Sequence, residues 1–152
     1  MKEIERKFLI DPQRFVKTAN ATVMSQGYLS VDPERVVRVR VEGEQAWLTI
    51  KGKISGVTRD EFEYPVPVAD ARQLLLLAVF PPVEKIRHRV KVEGFLWEVD
   101  EFLGANQGLW LAEIELEDEN QLFVRPEWLG SEVTHDRRYY NSQLAQFPFS
   151  QW

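Results

Sequence analysis

Glu3-Ile4-Glu5-Arg6-Lys7, near the start of the chain, is the stretch whose reading decides the fold. In an extended strand alternate side chains share a face, so Glu3, Glu5 and Lys7 stand together opposite Ile4, Arg6 and Phe8. One such strand implies no more than a solvated face above an apolar core. The pattern, however, recurs. Arg38 and Arg40 oppose Val37, Val39 and Val41, and Thr49 and Lys51 oppose Leu48 and Ile50. Arg59, Glu61 and Glu63 share a side, as do Lys85, Arg87 and Arg89, then Glu98 and Asp100, then Glu113 and Glu115. Acidic and basic strands are distinct, whereas a merely soluble surface intersperses both signs. An Arg38/Arg40 pair facing water would also carry like-charge repulsion.

The alternation predicts strands over 2–9, 25–30, 35–42, 45–51, 58–64, 83–92, 95–103 and 110–117, joined by turn-rich links such as Glu42-Gly43-Glu44 and Glu93-Gly94. Successive hairpins favour an antiparallel sheet or barrel. Helices are expected from Asp11-Pro12 to about Ala19, over Ala71–Val79 behind Asp70, over Glu119–Val124, and in a final turn capped by Ser142. The fold class is therefore α+β, mainly β: an eight-stranded antiparallel closed β-barrel with a few covering helices. Its charged faces converge inside, and its apolar faces point outward under cover. No repeat or linker divides the 152 residues, which read as one domain.

Composition narrows the function. Without cysteine there is no disulfide, thiolate zinc site or cysteine nucleophile, which is compatible with a cytoplasmic location. No apolar run reaches a membrane span and no secretory leader is evident. A net charge of −5 argues against a nucleic-acid reader. It leaves room for a small polyanion inside the barrel. Buried carboxylates and cations in similar number need ligands and ions to complete them. Carboxylate oxygens without His or Cys are the ligand set of Mg²⁺ or Mn²⁺. Arg and Lys in the same space suit phosphate oxygens. Together they describe a metal-bound polyphosphate site.

Those residues resemble the CYTH superfamily, the triphosphate tunnel metalloenzymes, and in particular its short bacterial inorganic triphosphatases. Glu3-x-Glu5-x-Lys7 is similar to the family's ExExK signature. Its companions follow in family order: Gln26-Gly27-Tyr28-Leu29, Arg38-x-Arg40, Thr49-Ile50-Lys51-Gly52, Arg59-x-Glu61-x-Glu63, Lys85-x-Arg87, Glu98-x-Asp100, Glu113-x-Glu115 and Asp136-Arg137-Arg138-Tyr139-Tyr140-Asn141. The resemblance implies a tunnel open at both ends. Glu3, Glu5, Glu113 and Glu115 would hold a first metal, and Glu61, Glu63 and Asp100 a second metal or the attacking water. Lys7, Arg38, Arg40, Lys51, Lys85, Arg87 and Arg138 would grip a triphosphate. Glu5, Glu63 and Lys85 would be catalytic, Lys85 at the leaving oxygen. Tyr28 either borders the tunnel or packs in the core.

The expected activity is hydrolysis of tripolyphosphate. Class IV-type adenylate cyclisation, nucleoside or thiamine triphosphate hydrolysis, and a non-catalytic polyphosphate binder are the alternatives. The expected partner is a small triphosphate, with no membrane or nucleic acid; a homodimer is left open. His88 should face away from the tunnel, His135 lacks a metal-spaced partner, and Gly52 to Gly56 is a turn rather than a phosphate loop. The five tryptophans form no stacking array and read as packing.

Overall fold

The computed structural model describes residues 1–152. Eight strands close into an antiparallel barrel: β1 (Lys2–Ile10), β2 (Thr22–Ser30), β3 (Arg35–Glu42), β4 (Gln45–Gly52), β5 (Thr58–Pro65), β6 (Val83–Val92), β7 (Phe95–Phe102) and β8 (Trp110–Glu115). They run in the order β5-β4-β3-β2-β6-β7-β8-β1, and β1 pairs back onto β5. Closure leaves no free edge in the ring. The first strand makes the seam. Its start pairs with β5 at Lys2↔Asp60 and Glu3↔Arg59. Along its other edge it pairs with β8, from Glu5↔Glu115 to Leu9↔Leu111.

A ninth strand, β9 (Leu129–Glu132), was not expected; it pairs with β1 beyond the reach of β5. Gly130 allows that approach, because a Cβ there would stand 2.9 Å from the Leu9 carbonyl oxygen.

Register confirms the charged interior. Arg38 lies opposite Thr49, Lys51 opposite Glu61, Arg87 opposite Asp100, and Lys7 opposite Glu113. Apolar side chains on the outside are covered in patches. Helix α1 (Val68–Leu75) packs its buried Ala71 with Val39 and Ala46 of β3 and β4. Phe15 and Trp128, from segments flanking the barrel, cover Phe8, Trp97, Val99, Ala112 and Ile114 of β1, β7 and β8.

The helical expectations are corrected in three places. No helix follows Asp11: its carboxylate accepts from Gln13 N in a turn, and Phe15 is drawn into the aromatic cluster. No helix forms over Glu119–Val124, where Asp118 and Gln121 tie a loop. Helix α1 starts three residues earlier than expected, after Pro67, and ends at Leu75. The final helix α2 (Asn141–Gln146) does form, but Tyr140 precedes it and Ser142 lies inside it.

This helix changes the expected tunnel. Tyr139, Leu144 and Ala145 pack against Tyr28, Val36, Val83, Phe102 and Leu111, which share the inward parity of the charged residues. One end of the barrel is thus filled with side chains rather than open.

Candidate active site

The inward faces of the strands, with Tyr140–Ser142 from the C-terminal segment, enclose a cavity beside this plug. Glu3, Glu5 and Glu113 line it with the cations Lys7, Arg38, Lys51, Arg59, Lys85 and Arg87. Eight of the expected site residues, from β1, β3, β4, β6 and β8, thereby share one space, as alternation requires.

Each buried acid but one is matched to a cation. Lys51 Nζ lies 3.1 Å from Glu3 Oε1 and 3.1 Å from Glu61 Oε2. Glu3 is held down to about 2: burial opposes this, and Lys51, Glu61 and Arg59 outweigh it. Glu61 is pushed up to about 7 by burial and by its contact with Glu3. Lys7 lies 3.4 Å from Glu113 and donates to the Tyr139 carbonyl at 3.0 Å. Glu113 is held below the usual carboxylate range, burial being overcome by Lys7, Arg87 and Lys85.

Asp100 is fully buried, and both its oxygens are taken. Arg87 donates to them at 2.8 and 3.0 Å, and Lys85 lies 2.8 Å from Oδ2. In this arrangement it acts as counter-ion to the basic wall and is not among the residues that line the cavity. Burial lowers Lys85 to about 8 despite Asp100.

Glu5 is the exception. No cation comes within ion-pair distance of its carboxylate, and burial together with Glu113 and Glu3 raises it well above the usual range, against Lys51 and Lys7. A half-buried acid flanked by two others calls for a positive ion. No three acids converge at ligand spacing here; Glu3 and Glu113 are paired with Lys51 and Lys7. The oxygen-only donors and the unpaired Glu5 fit a hard divalent cation of the Mg²⁺ type.

Other expected residues sit outside that cavity. Glu115 and Glu63 are the more exposed acids toward the other end of the barrel. Burial, Glu3 and Glu98 raise Glu115. Glu63 accepts from Thr49 Oγ1 at 3.0 Å and lies 3.7 Å from Arg38. Arg40 stacks 5.0 Å over Trp47 with its Nε unmet; burial, then Arg38 and Arg87, lower it to about 10. Arg138 lies apart from the cavity. It faces solvent, paired with Asp136 and stacked on Trp152, and does not line the cavity. His88 does point away from the tunnel, packed between Phe15 and Trp110.

Sequence reasoning left out Asn141, Tyr140 and Thr134, all of which line the cavity. Asn141 Oδ1 accepts from Lys85 at 2.9 Å. The Asp136-to-Asn141 motif was the signal available, read only for its Arg138.

A closed barrel with an acid-and-cation interior defines a class of tunnel proteins that bind a polyanion. The chain belongs to the CYTH domain family, whose model matches residues 1–144. It is 47% identical over 149 residues to an inorganic triphosphatase of Acetivibrio thermocellus, covering 97% of this chain and 96% of that protein. It is 37% identical to an inorganic triphosphatase of Nitrosomonas europaea, over 95% and 97% of the two chains. The crystal structure of an inorganic triphosphatase superposes with a TM-score of 0.65 at 35% identity, over 93% of this chain and 96% of that one. No helix is long and apolar enough to cross a membrane.

Proposed function

We propose that the protein is a divalent-metal-dependent inorganic triphosphatase that hydrolyses tripolyphosphate to pyrophosphate and orthophosphate. The observation that carries the reading is Glu5, a half-buried carboxylate without an ion-pair partner, in a cavity it lines with Glu3, Glu113 and the cations Lys7, Arg38, Lys51, Lys85 and Arg87. Two relatives spanning the whole chain and named inorganic triphosphatases support the substrate.

Glu3, Glu5 and Glu113, with Glu115 toward the mouth, are the residues that would hold Mg²⁺ or Mn²⁺. When bound, such an ion neutralises phosphoryl charge as a Lewis acid. The basic wall grips the phosphate oxygens and aligns the chain, which supplies most of what phosphoryl transfer needs. A water attacks the terminal phosphorus in line with the bridging bond. The bridging P–O bond breaks, orthophosphate forms, and pyrophosphate departs. Glu63, held by Thr49, positions the water, and Lys85 supplies positive charge or a proton at the leaving oxygen. Glu61 and Asp100 hold Lys51, Lys85 and Arg87 in place.

The test is a substrate panel with Mg²⁺ or Mn²⁺: tripolyphosphate, pyrophosphate, ATP and thiamine triphosphate, scored for orthophosphate and cyclic AMP. Preferred release of phosphate from tripolyphosphate is expected. Efficient cyclisation of ATP with tripolyphosphate left intact would overturn the reading.

A further inference from the structure

Gln26, Tyr28 and Asn141 are not used by the ion pairs above, yet they form one hydrogen-bonded chain, of which Tyr28 and Asn141 line the same cavity. Lys85 donates to Asn141 Oδ1 at 2.9 Å, and Gln26 Nε2 donates to the same oxygen at 3.0 Å. Gln26 Nε2 also donates to the Tyr28 hydroxyl oxygen at 3.1 Å. An ammonium has three donors and no acceptor, so the chain has a fixed direction. Lys85 compels Asn141 to turn its oxygen inward, and that oxygen compels Gln26 to show its amide nitrogen. Tyr28, accepting from Gln26, has its own hydrogen left to give. The ordering carries a visible cost: Gln26 Oε1 is buried with no partner. An unmet acceptor is unfavourable, and it persists because the opposite orientation would set two oxygens against each other.

Two donors remain. Asn141 Nδ2 and the Tyr28 hydroxyl have no protein acceptor, and both residues line the cavity with Lys85 and Arg87. We infer that Asn141 and Tyr28 are anion-binding residues, donating neutral hydrogen bonds to a phosphoryl group beside Lys85. Their position at the plug end assigns them to an end of the phosphate chain. This rests on the proposed triphosphatase reading for its ligand, and on the hydrogen-bond chain alone for its direction.

Asn141→Asp separates this role from simple support of Lys85. Aspartate keeps an oxygen for Lys85 and Gln26 and replaces the outward donor with an acceptor. Tyr28→Phe removes only the hydroxyl. Each variant is compared with wild type and Asn141→Ala by calorimetric binding of tripolyphosphate in chelator, where turnover is absent, and by kcat/KM with Mg²⁺. Melting temperature monitors the fold. A hydrogen bond to a charged acceptor leads us to expect binding weakened about tenfold or more in each variant. Asn141→Asp should fall at least as far as Asn141→Ala.

Rescue by Asn141→Asp to wild-type affinity would reduce Asn141 to a positioning residue and overturn its part of the inference. Unchanged affinity in Tyr28→Phe would overturn the other part. Wild-type protein that binds tripolyphosphate without hydrolysing it would sink the proposed reaction, while the binding ratios still decide this inference. Wild-type protein that does not bind it would overturn both.

Discussion

Lys51 clasps Glu3, its ammonium 3.1 and 3.2 Å from the two carboxylate oxygens, with both side chains buried. The same ammonium lies 3.1 Å from Glu61. Removing it leaves Glu61 facing Glu3 with only Arg59, 3.4 Å from Glu3, as a cation, and breaking a buried pair by deleting one partner costs about 3–5 kcal/mol. Lys51→Met is therefore expected to lower unfolding free energy by about 3 kcal/mol in chelator, measured by urea denaturation. A loss below about 1 kcal/mol would mean that water already screens the pair.

Glu5 should respond in the opposite sense. Its burial beside Glu113 and Glu3 disfavours the charged form, and Lys51 and Lys7 offset this only in part. Glu5→Gln is expected to leave the chelator-treated protein as stable as wild type or more so, by about 1 kcal/mol. It should also abolish metal-supported phosphate release and the rise in melting temperature that Mg²⁺ gives wild type. Destabilisation of the metal-free protein with activity retained would show that the carboxylate serves the fold rather than an ion. Glu115→Gln, nearer the mouth, is expected to lose turnover with the fold kept.

The barrel was legible because parity is a local property: one strand shows which side chains share a face, and seven such segments show that the faces must converge. The plug was not. Leu144 and Ala145 carry no sign of which barrel end they fill, since that depends on how the C-terminal segment returns to β2 and β6. Strand β9 was hidden because Gly130-Ser131 breaks any alternation, and only the approach to Leu9 explains the glycine. The expected helix after Asp11 lost to packing, as Phe15 is worth more against Trp128 and His88 than in a helical turn. Asn141 acquires meaning only through Lys85, 56 residues away in the chain.

Arg138 is the reverse case, a residue expected at the phosphates that lies exposed and paired with Asp136. Asp136, two residues away, accepts from both its backbone and its guanidinium, and Trp152 stacks beneath it. Arg138→Ala should change kcat/KM for tripolyphosphate by less than about threefold, since an exposed pair contributes little. Arg38→Ala, at the cavity wall, should reduce it by about a hundredfold, in the range of a charge-assisted phosphate contact. Similar losses in both would place Arg138 back on the substrate path.

Acid sensitivity of the fold should involve His88. Burial lowers it from 6.5; Glu101, 4.0 Å away, and Asp100 oppose the shift, and Lys17 reinforces it. Because the folded value lies below the unfolded one, the unfolded chain binds the proton first. Its contribution is complete above pH 6.5 and declines as pH falls toward the folded value. Against the opposite trend of Glu61, which is raised to about 7 and adds stability as pH falls, the His88 proton contributes a downward slope of the denaturation midpoint with acidification between pH 7.5 and about 5.5. In His88→Phe, which keeps an aromatic ring beside Phe15 and Trp110, that slope should flatten. An identical slope in the variant would assign the titration to another group.

Leu144 links stability to the site. It is fully buried against Tyr28, Val83 and Leu111, one helical turn from Asn141. Leu144→Ala removes buried apolar volume and is expected to cost about 2–5 kcal/mol. The cavity left under α2 should also loosen Asn141 and hence the hydrogen bond that aims Lys85. Activity should then fall at temperatures where circular dichroism still reports a folded barrel, because α2 can shift while the closed ring of strands is kept. A Leu144→Met variant, similar in volume, should keep both stability and activity. Loss of activity only in step with global unfolding would separate the plug from the site.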